Sequence, residues 1–167
     1  SMWAANKLGV SQYWRFITAP MSATHIHTGQ KILFRGVDNP LKAKSIQLGK
    51  GYIKYLWAEE VDQYGGMEEL RSIIQSVFRG EGASRIAMFS YNPPKSSRAW
   101  VNQEVRIEKP GRVVHSSDYR SVPREWLGER FLAEAAHLQL VNPTAYDHEY
   151  LGIEVGTGLE VFNNVET

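Results

Sequence analysis

The chain has 167 residues, 43% of them hydrophobic, enough to bury one substantial core as a single domain or a domain with a short appendage. Nineteen Lys and Arg against eighteen Asp and Glu leave a formal charge of +1, which excludes attraction to nucleic acid through a net positive field and leaves only local patches for it. The lack of cysteine excludes a disulfide framework and a thiolate zinc site, and makes an intracellular, reducing compartment the simpler expectation.

No secretory leader and no apolar run of roughly 18 residues is present, so no membrane span is expected. Ser1-Met2 ahead of Trp3 resembles a cloning remnant, and the sequence is expected to be a piece of a longer protein. Residues 2–9 read as the tail of a helix stopped by Gly9. From Tyr13 to Gly36, short apolar runs flanked by Pro, Thr and Gly predict strands joined by turns, and Asp38-Asn39-Pro40 predicts a loop.

The aromatic and β-branched run 52–58 predicts a buried strand. Met67, Leu70, Ile74 and Val77 recur at helical spacing and predict a helix over 67–79, with Gly80 and Gly82 beyond it. Residues 85–90 predict a second apolar strand, closed by Asn92-Pro93-Pro94, which cannot continue a ladder. Strand, helix, strand is the unit of a parallel α/β sheet. Beyond it, the pattern predicts a helix over 96–106, a strand over 112–116, and an amphipathic helix over 123–140 with Leu127, Phe131, Ala135 and Leu138 on one face. Residues 142–167 read as a small subdomain or linker, and no internal repeat is visible.

The pair Glu59-Glu60 closes the first predicted strand, where open α/β sheets bind ligands. At a phosphate-hydrolysing site, one acid holds magnesium and the other orients or deprotonates the attacking water. Successive strand residues point to opposite faces, so the chain must turn near Glu60 if both are to serve one site. A solvated acidic pair is the plainer alternative. Ser90-Tyr91-Asn92-Pro93 closes the neighbouring strand, and its Ser and Asn can hydrogen-bond a phosphate or the water, or merely form a turn.

The run KILFRGVDNPLKAKS, the pair LWAEE followed by VDQY, FSYNPP followed by KSSRAWVNQ, and the late stretch YDHEYLGIEVGTGLEVFNNV together resemble phage terminase large subunits, in the branch found in defective and tailed phages of Gram-positive bacteria. The resemblance covers essentially the whole chain. It implies a partial P-loop NTPase core of the ASCE type, with a parallel sheet and flanking helices, over residues 1–120. A small helical C-terminal subdomain and linker over 121–167 would lead towards a nuclease domain outside this sequence.

By the same resemblance, Glu59 matches the Walker B acid that serves Mg2+, where many relatives have Asp. Glu60 matches the catalytic glutamate, and Ser90, Tyr91, Asn92 and Pro93 match the motif coupling hydrolysis to movement. The intact protein would use ATP and Mg2+ to package double-stranded DNA, with a portal ring and a small terminase subunit as partners, in the host cytoplasm. It would work as an oligomeric ring, whereas the piece alone is expected to be monomeric.

A phosphate-binding loop needs Gly, four residues, Gly-Lys and then Ser or Thr. Around Gly49-Lys50, the first glycine position falls on Lys44 and the hydroxyl position on Gly51, so the Walker A loop is expected upstream. This piece is therefore expected to bind nucleotide poorly.

Arg98 and Arg35 are candidates for an arginine reaching a neighbouring subunit's phosphate, or are ordinary surface residues. Lys42, Lys44 and Lys50 suit either DNA phosphate or a solvated face. Asp147-His148-Glu149 is a poor chelator because neighbours point apart, while His25 and His27 can share a strand face but lack a third ligand. A nuclease would need acids converging from separate strands, and Asp38, Asp62, Asp118 and Asp147 qualify only as acids, so no nuclease site is assigned. An inert docking or nucleic-acid-binding module on an α/β scaffold is the alternative function, because a scaffold alone does not decide activity.

Overall fold

In a computed structural model, residues 2–36, 51–80 and 84–156 are described. The chain divides into two compact units, 1–51 and 52–167. The first carries α1 (Met2–Lys7) and three antiparallel strands in sequential order, β1 (Trp14–Thr18), β2 (Met21–His25) and β3 (Lys31–Leu33). Ala23 on the middle strand is its most buried sheet residue, at 2% exposure. The predicted loop at Asp38 lies outside the described residues.

The second unit is mixed α/β. Strand β4 (Tyr55–Ala58) leads through a turn to α2 (Met67–Val77) and then to β5 (Ile86–Phe89), and the two strands pair in parallel. Their register sets Tyr55 against Ile86 and Ala58 against Phe89, so both strands finish at the same end of the sheet. The strand, helix, strand expectation is met, but β4 is not the buried strand expected, since Tyr55 and Trp57 are 56% and 63% exposed.

Helix α2 buries Leu70 and Val77 as expected and packs Met67 on the core, but Ile73 is buried where Ile74 was expected and Ile74 is only half-buried. A core cluster of Ala58, Val61, Leu70 and Val101 carries Tyr64, Met67, Tyr91 and Trp100 packed around it. Leu70 is 2% exposed, and burial of such a side chain contributes about 1.5–3 kcal/mol. The cluster joins the end of β4, the turn after it, α2 and α3 (Trp100–Val105), so it lies directly beneath the strand ends.

Two expectations are corrected. Residues 112–116 form no strand. Arg112 instead turns back, donating to the carbonyls of Glu104 (2.6 Å) and Ile107 (3.0 Å), and Val113 is left 92% exposed. Burial and hydrogen bonds from Lys109 and Arg112 act oppositely on the Glu104 carboxyl, and the hydrogen bonds prevail, holding it below the usual range. The predicted helix over 123–140 is also divided, because Gly128, at φ +78°, separates α4 (Arg124–Leu127) from α5 (Glu129–Val141). Ala135 is buried as expected, but Phe131 remains 37% exposed.

Asn142 caps α6 (Pro143–Leu151) by accepting from the Ala145 amide at 3.1 Å, with proline in the first turn. Tyr119 hydrogen-bonds Tyr146 hydroxyl to hydroxyl at 2.7 Å and meets Phe131 and Tyr150 edge-on, which fastens α5 and α6 to the turn before α4. Among the described residues no helix is long and apolar enough to cross a membrane.

The exit from β5 is built by Asn102. At 1% exposure, its side-chain amide donates to the carbonyls of Pro94 and Ser96, both at 2.9 Å. Removing both bonds would leave the Pro94 carbonyl short of a donor in a part-buried turn, while the Ser96 carbonyl keeps the Ala99 amide at 3.0 Å. Asn102→Ala is therefore expected to cost about 1–3 kcal/mol, read as a lower urea midpoint, whereas substitution of the neighbouring exposed Gln103 by alanine should cost less.

Candidate functional site

The two strand ends are laced around Ser90. Its amide donates to the Ala58 carbonyl at 3.0 Å, its carbonyl accepts from the Val61 amide at 3.2 Å, and its hydroxyl accepts from the Trp57 indole at 3.1 Å. Ser90 thus extends the pairing one residue past β5 and ties it to Val61, three residues past the end of β4. Ser90 keeps its own hydroxyl proton to donate.

Glu59 and Glu60 follow β4 at once and are both exposed. Glu60 has φ 52° and ψ 44°, the only positive φ outside glycine among the described residues. Left-handed geometry costs a residue with a Cβ about 1–2 kcal/mol. Side chains alternate along extended backbone, and the left-handed conformation ends that alternation at Glu60, where a turn was expected. It leads into a short 3-10 turn, Val61–Gln63, whose Gln63 amide nitrogen donates to a Glu60 carboxylate oxygen at 2.9 Å.

Past β5, Tyr91 turns into the core cluster, Asn92 is exposed, and Pro93 lies against Gly152, where an added Cβ would come within 3.5 Å of the ring. Burial raises the Tyr91 phenol above its ordinary pKa, the Glu154 carboxylate adds to the effect, Arg106 opposes it, and Asp62 adds a little more. The segment 91–97 is held by the chain end of the described region. The amides of Val155 and Gly156 donate to the Lys95 carbonyl, Ser97 donates to the Gly156 carbonyl at 2.9 Å, and Arg106 pairs with Glu154. Asp62, one of the acids weighed for a nuclease, sits half-buried near Tyr91.

Among the described residues no three His, Cys, Asp or Glu converge as a metal cage. Glu59 and Glu60 are exposed carboxylates, a donor type that a hard ion keeping most of its water can use.

The other sequence candidates make local contacts of their own. Arg35 belongs to the first unit, where it donates to the Phe34 carbonyl at 2.7 Å. Arg98 is exposed on the turn after Pro94, with only its backbone amide engaged, to Ser96 at 3.2 Å. His27 lies past the end of β2 rather than on it; its ring is 5.9 Å from that of His25, whose Nδ1 is occupied by Thr28. Asp147, His148 and Glu149 lie on α6, with His148 Nδ1 directed at the Ile153 carbonyl at 3.2 Å. Hydrogen bonds from Arg120 hold the Asp118 carboxyl below its usual range and tie it into a turn. Asp38, Lys42, Lys44 and Lys50 lie outside the described residues.

A family model described as "Phage terminase large subunit" matches residues 2–153, which include both strand ends. The chain belongs to the phage terminase large subunit family. The "Terminase, large subunit" of Bacillus phage SPP1 is 34% identical over 168 residues, an alignment covering 98% of this chain and 39% of that relative. This terminase sequence therefore spans well under half the length of the curated relative it matches.

Sequence reasoning missed Trp57 and Gln63. Trp57 read only as an apolar strand residue, although an indole two residues before an acidic pair carries a donor that needs a partner. Gln63, three residues after Glu60, stands at the spacing of one 3-10 turn.

If Glu60 is strained, glycine at that position should stabilise the fold. Glu60→Gly is expected to raise unfolding free energy by about 1 kcal/mol, measured by urea denaturation.

Proposed function

We propose that this chain supplies the acidic and coupling elements of the ATPase core of a phage terminase large subunit, a motor that drives double-stranded DNA into procapsids. The juxtaposition of Glu59 and Glu60 with Ser90 to Pro93 at one end of a parallel pair of strands carries this reading. Parallel α/β sheets present ligand sites at that end. Family membership supports it further.

In this reading Glu59 holds Mg2+ through its water shell, and the ion supplies neutralisation of charge on the phosphates of ATP. Glu60 accepts a proton from, or orients, the attacking water. Ser90 offers its hydroxyl proton to the same water or to the departing phosphate, and any shift of that contact is felt by Trp57 and by the backbone of β4 through the bonds Ser90 already makes. Tyr91 and Pro93 then pass the displacement to the core and to residues 152–156, which are tied to the exit turn.

The scaffold is thus a partial P-loop core of the ASCE type, with the Walker A loop supplied by sequence upstream of these residues. Residues 121–167 act as a helical subdomain towards a nuclease domain. DNA contacts through phosphate rather than base edges suit a motor indifferent to sequence. A portal ring and a small terminase subunit are the expected protein partners, in a ring assembled in the host cytoplasm. Arg98 and Arg35 remain the candidates for an arginine acting on a neighbour's nucleotide.

The test is ATP turnover by the 167-residue chain beside a form extended upstream through a phosphate-binding loop. Only the extended protein should hydrolyse ATP, and Glu60→Gln in it should lower kcat by about 10²–10⁴-fold, the usual contribution of a general base. Magnesium-dependent turnover by the short chain, or an extended Glu60→Gln protein as active as the parent, would remove the assignment.

A further inference from the structure

We propose that Gln63 is a positioning residue that fixes the Glu60 carboxylate for catalysis, an inference that rests on the role of Glu60 proposed above. Gln63 holds Glu60 at both ends. Its backbone amide donates to the Glu60 carbonyl at 3.0 Å, and its side-chain amide donates to a Glu60 carboxylate oxygen at 2.9 Å. The first bond closes the turn that begins in left-handed backbone at Glu60, and the second selects one orientation of an otherwise solvated side chain.

The donor stands on a rigid support although Gln63 itself is exposed. Two residues before it, Val61 is 3% exposed in the core cluster, with its amide bonded to the Ser90 carbonyl. The residue after it, Tyr64, packs on that cluster, and its carbonyl accepts from the Trp100 indole at 2.9 Å. Gln63 is therefore carried between two anchored residues, and preorganisation of that kind lets a hydrogen bond orient a reacting group without further ordering cost.

The chemistry of the side chain matches the task. A primary amide donates to one carboxylate oxygen and carries no charge, so it orients Glu60 without neutralising it. The other oxygen is left for a water molecule at the strand end. A lysine or arginine in the same place would form an ion pair instead.

Gln63→Met keeps the length of the side chain and removes the donor. In the intact large subunit it should lower kcat for ATP about 10-fold while KM for ATP changes by less than about twofold, since a hydrogen bond to a charged group is worth about a decade in rate. Gln63→Glu, which repels the Glu60 carboxylate, should lower kcat at least as far. A second readout needs no nucleotide. In the 167-residue chain, the Gln63 side-chain amide NMR resonances should move in Glu60→Ala and stay in place in Glu59→Ala.

Unchanged kcat in Gln63→Met, a rise in kcat, or amide resonances indifferent to Glu60 would each overturn the positioning role. Failure of the underlying reading looks different. Glu60→Gln would then retain full activity, whatever Gln63→Met does.

Discussion

The arrangement depends on the parallel pairing of β4 with β5 and its extension through Ser90. A parallel pair ends both strands on one side, so whatever follows each strand meets at the same place. Two strands alone are a poor foundation, because a two-stranded sheet is marginal in water. Here the pair is fastened at its functional end, where the Ser90 backbone bridges Ala58 and Val61 and its hydroxyl takes the Trp57 indole. The core cluster of Ala58, Val61, Leu70 and Val101 lies directly beneath. The acidic turn and the segment after β5 are thus held through one residue, since Ser90 begins the second and accepts the Val61 amide of the first.

Strain and support are divided between neighbours. Glu60 occupies left-handed backbone, while Val61 beside it is among the best buried residues of the chain. A position held against its local preference persists where the surroundings determine it strongly, and such positions gather at functional sites. The ordering of Glu60 by Gln63 follows the same pattern, with an exposed group held by a turn whose flanking residues are anchored.

On the other strand the exit is determined from outside. Asn102 holds the carbonyls of Pro94 and Ser96, and residues 152–156 add backbone bonds to Lys95 and Ser97 with the ion pair of Arg106 and Glu154. The bonds from Asn102 are local, whereas those from residues 154–156 join positions about fifty to sixty apart in sequence, and together they make residues 91–97 a connected part rather than a free loop.

Much of this was determined by sequence. The aromatic run ending in Glu59-Glu60, the helical spacing of Met67 to Val77 and the run stopped at Asn92-Pro93-Pro94 specify a parallel unit through local pattern alone, and side-chain alternation requires a turn at Glu60. Only tertiary structure decided the rest. That Ser90 would spend its hydroxyl on Trp57, that Tyr91 would enter the core, and that Asn102 would be buried to hold a turn all depend on partners distant in sequence. The valines at 113 and 114 have the composition of a strand, yet strands exist only with a partner, and Arg112 is drawn back to Glu104 and Ile107 instead. Gly128 divides a continuous helical pattern because its backbone adopts a positive φ that the periodicity of its neighbours cannot reveal.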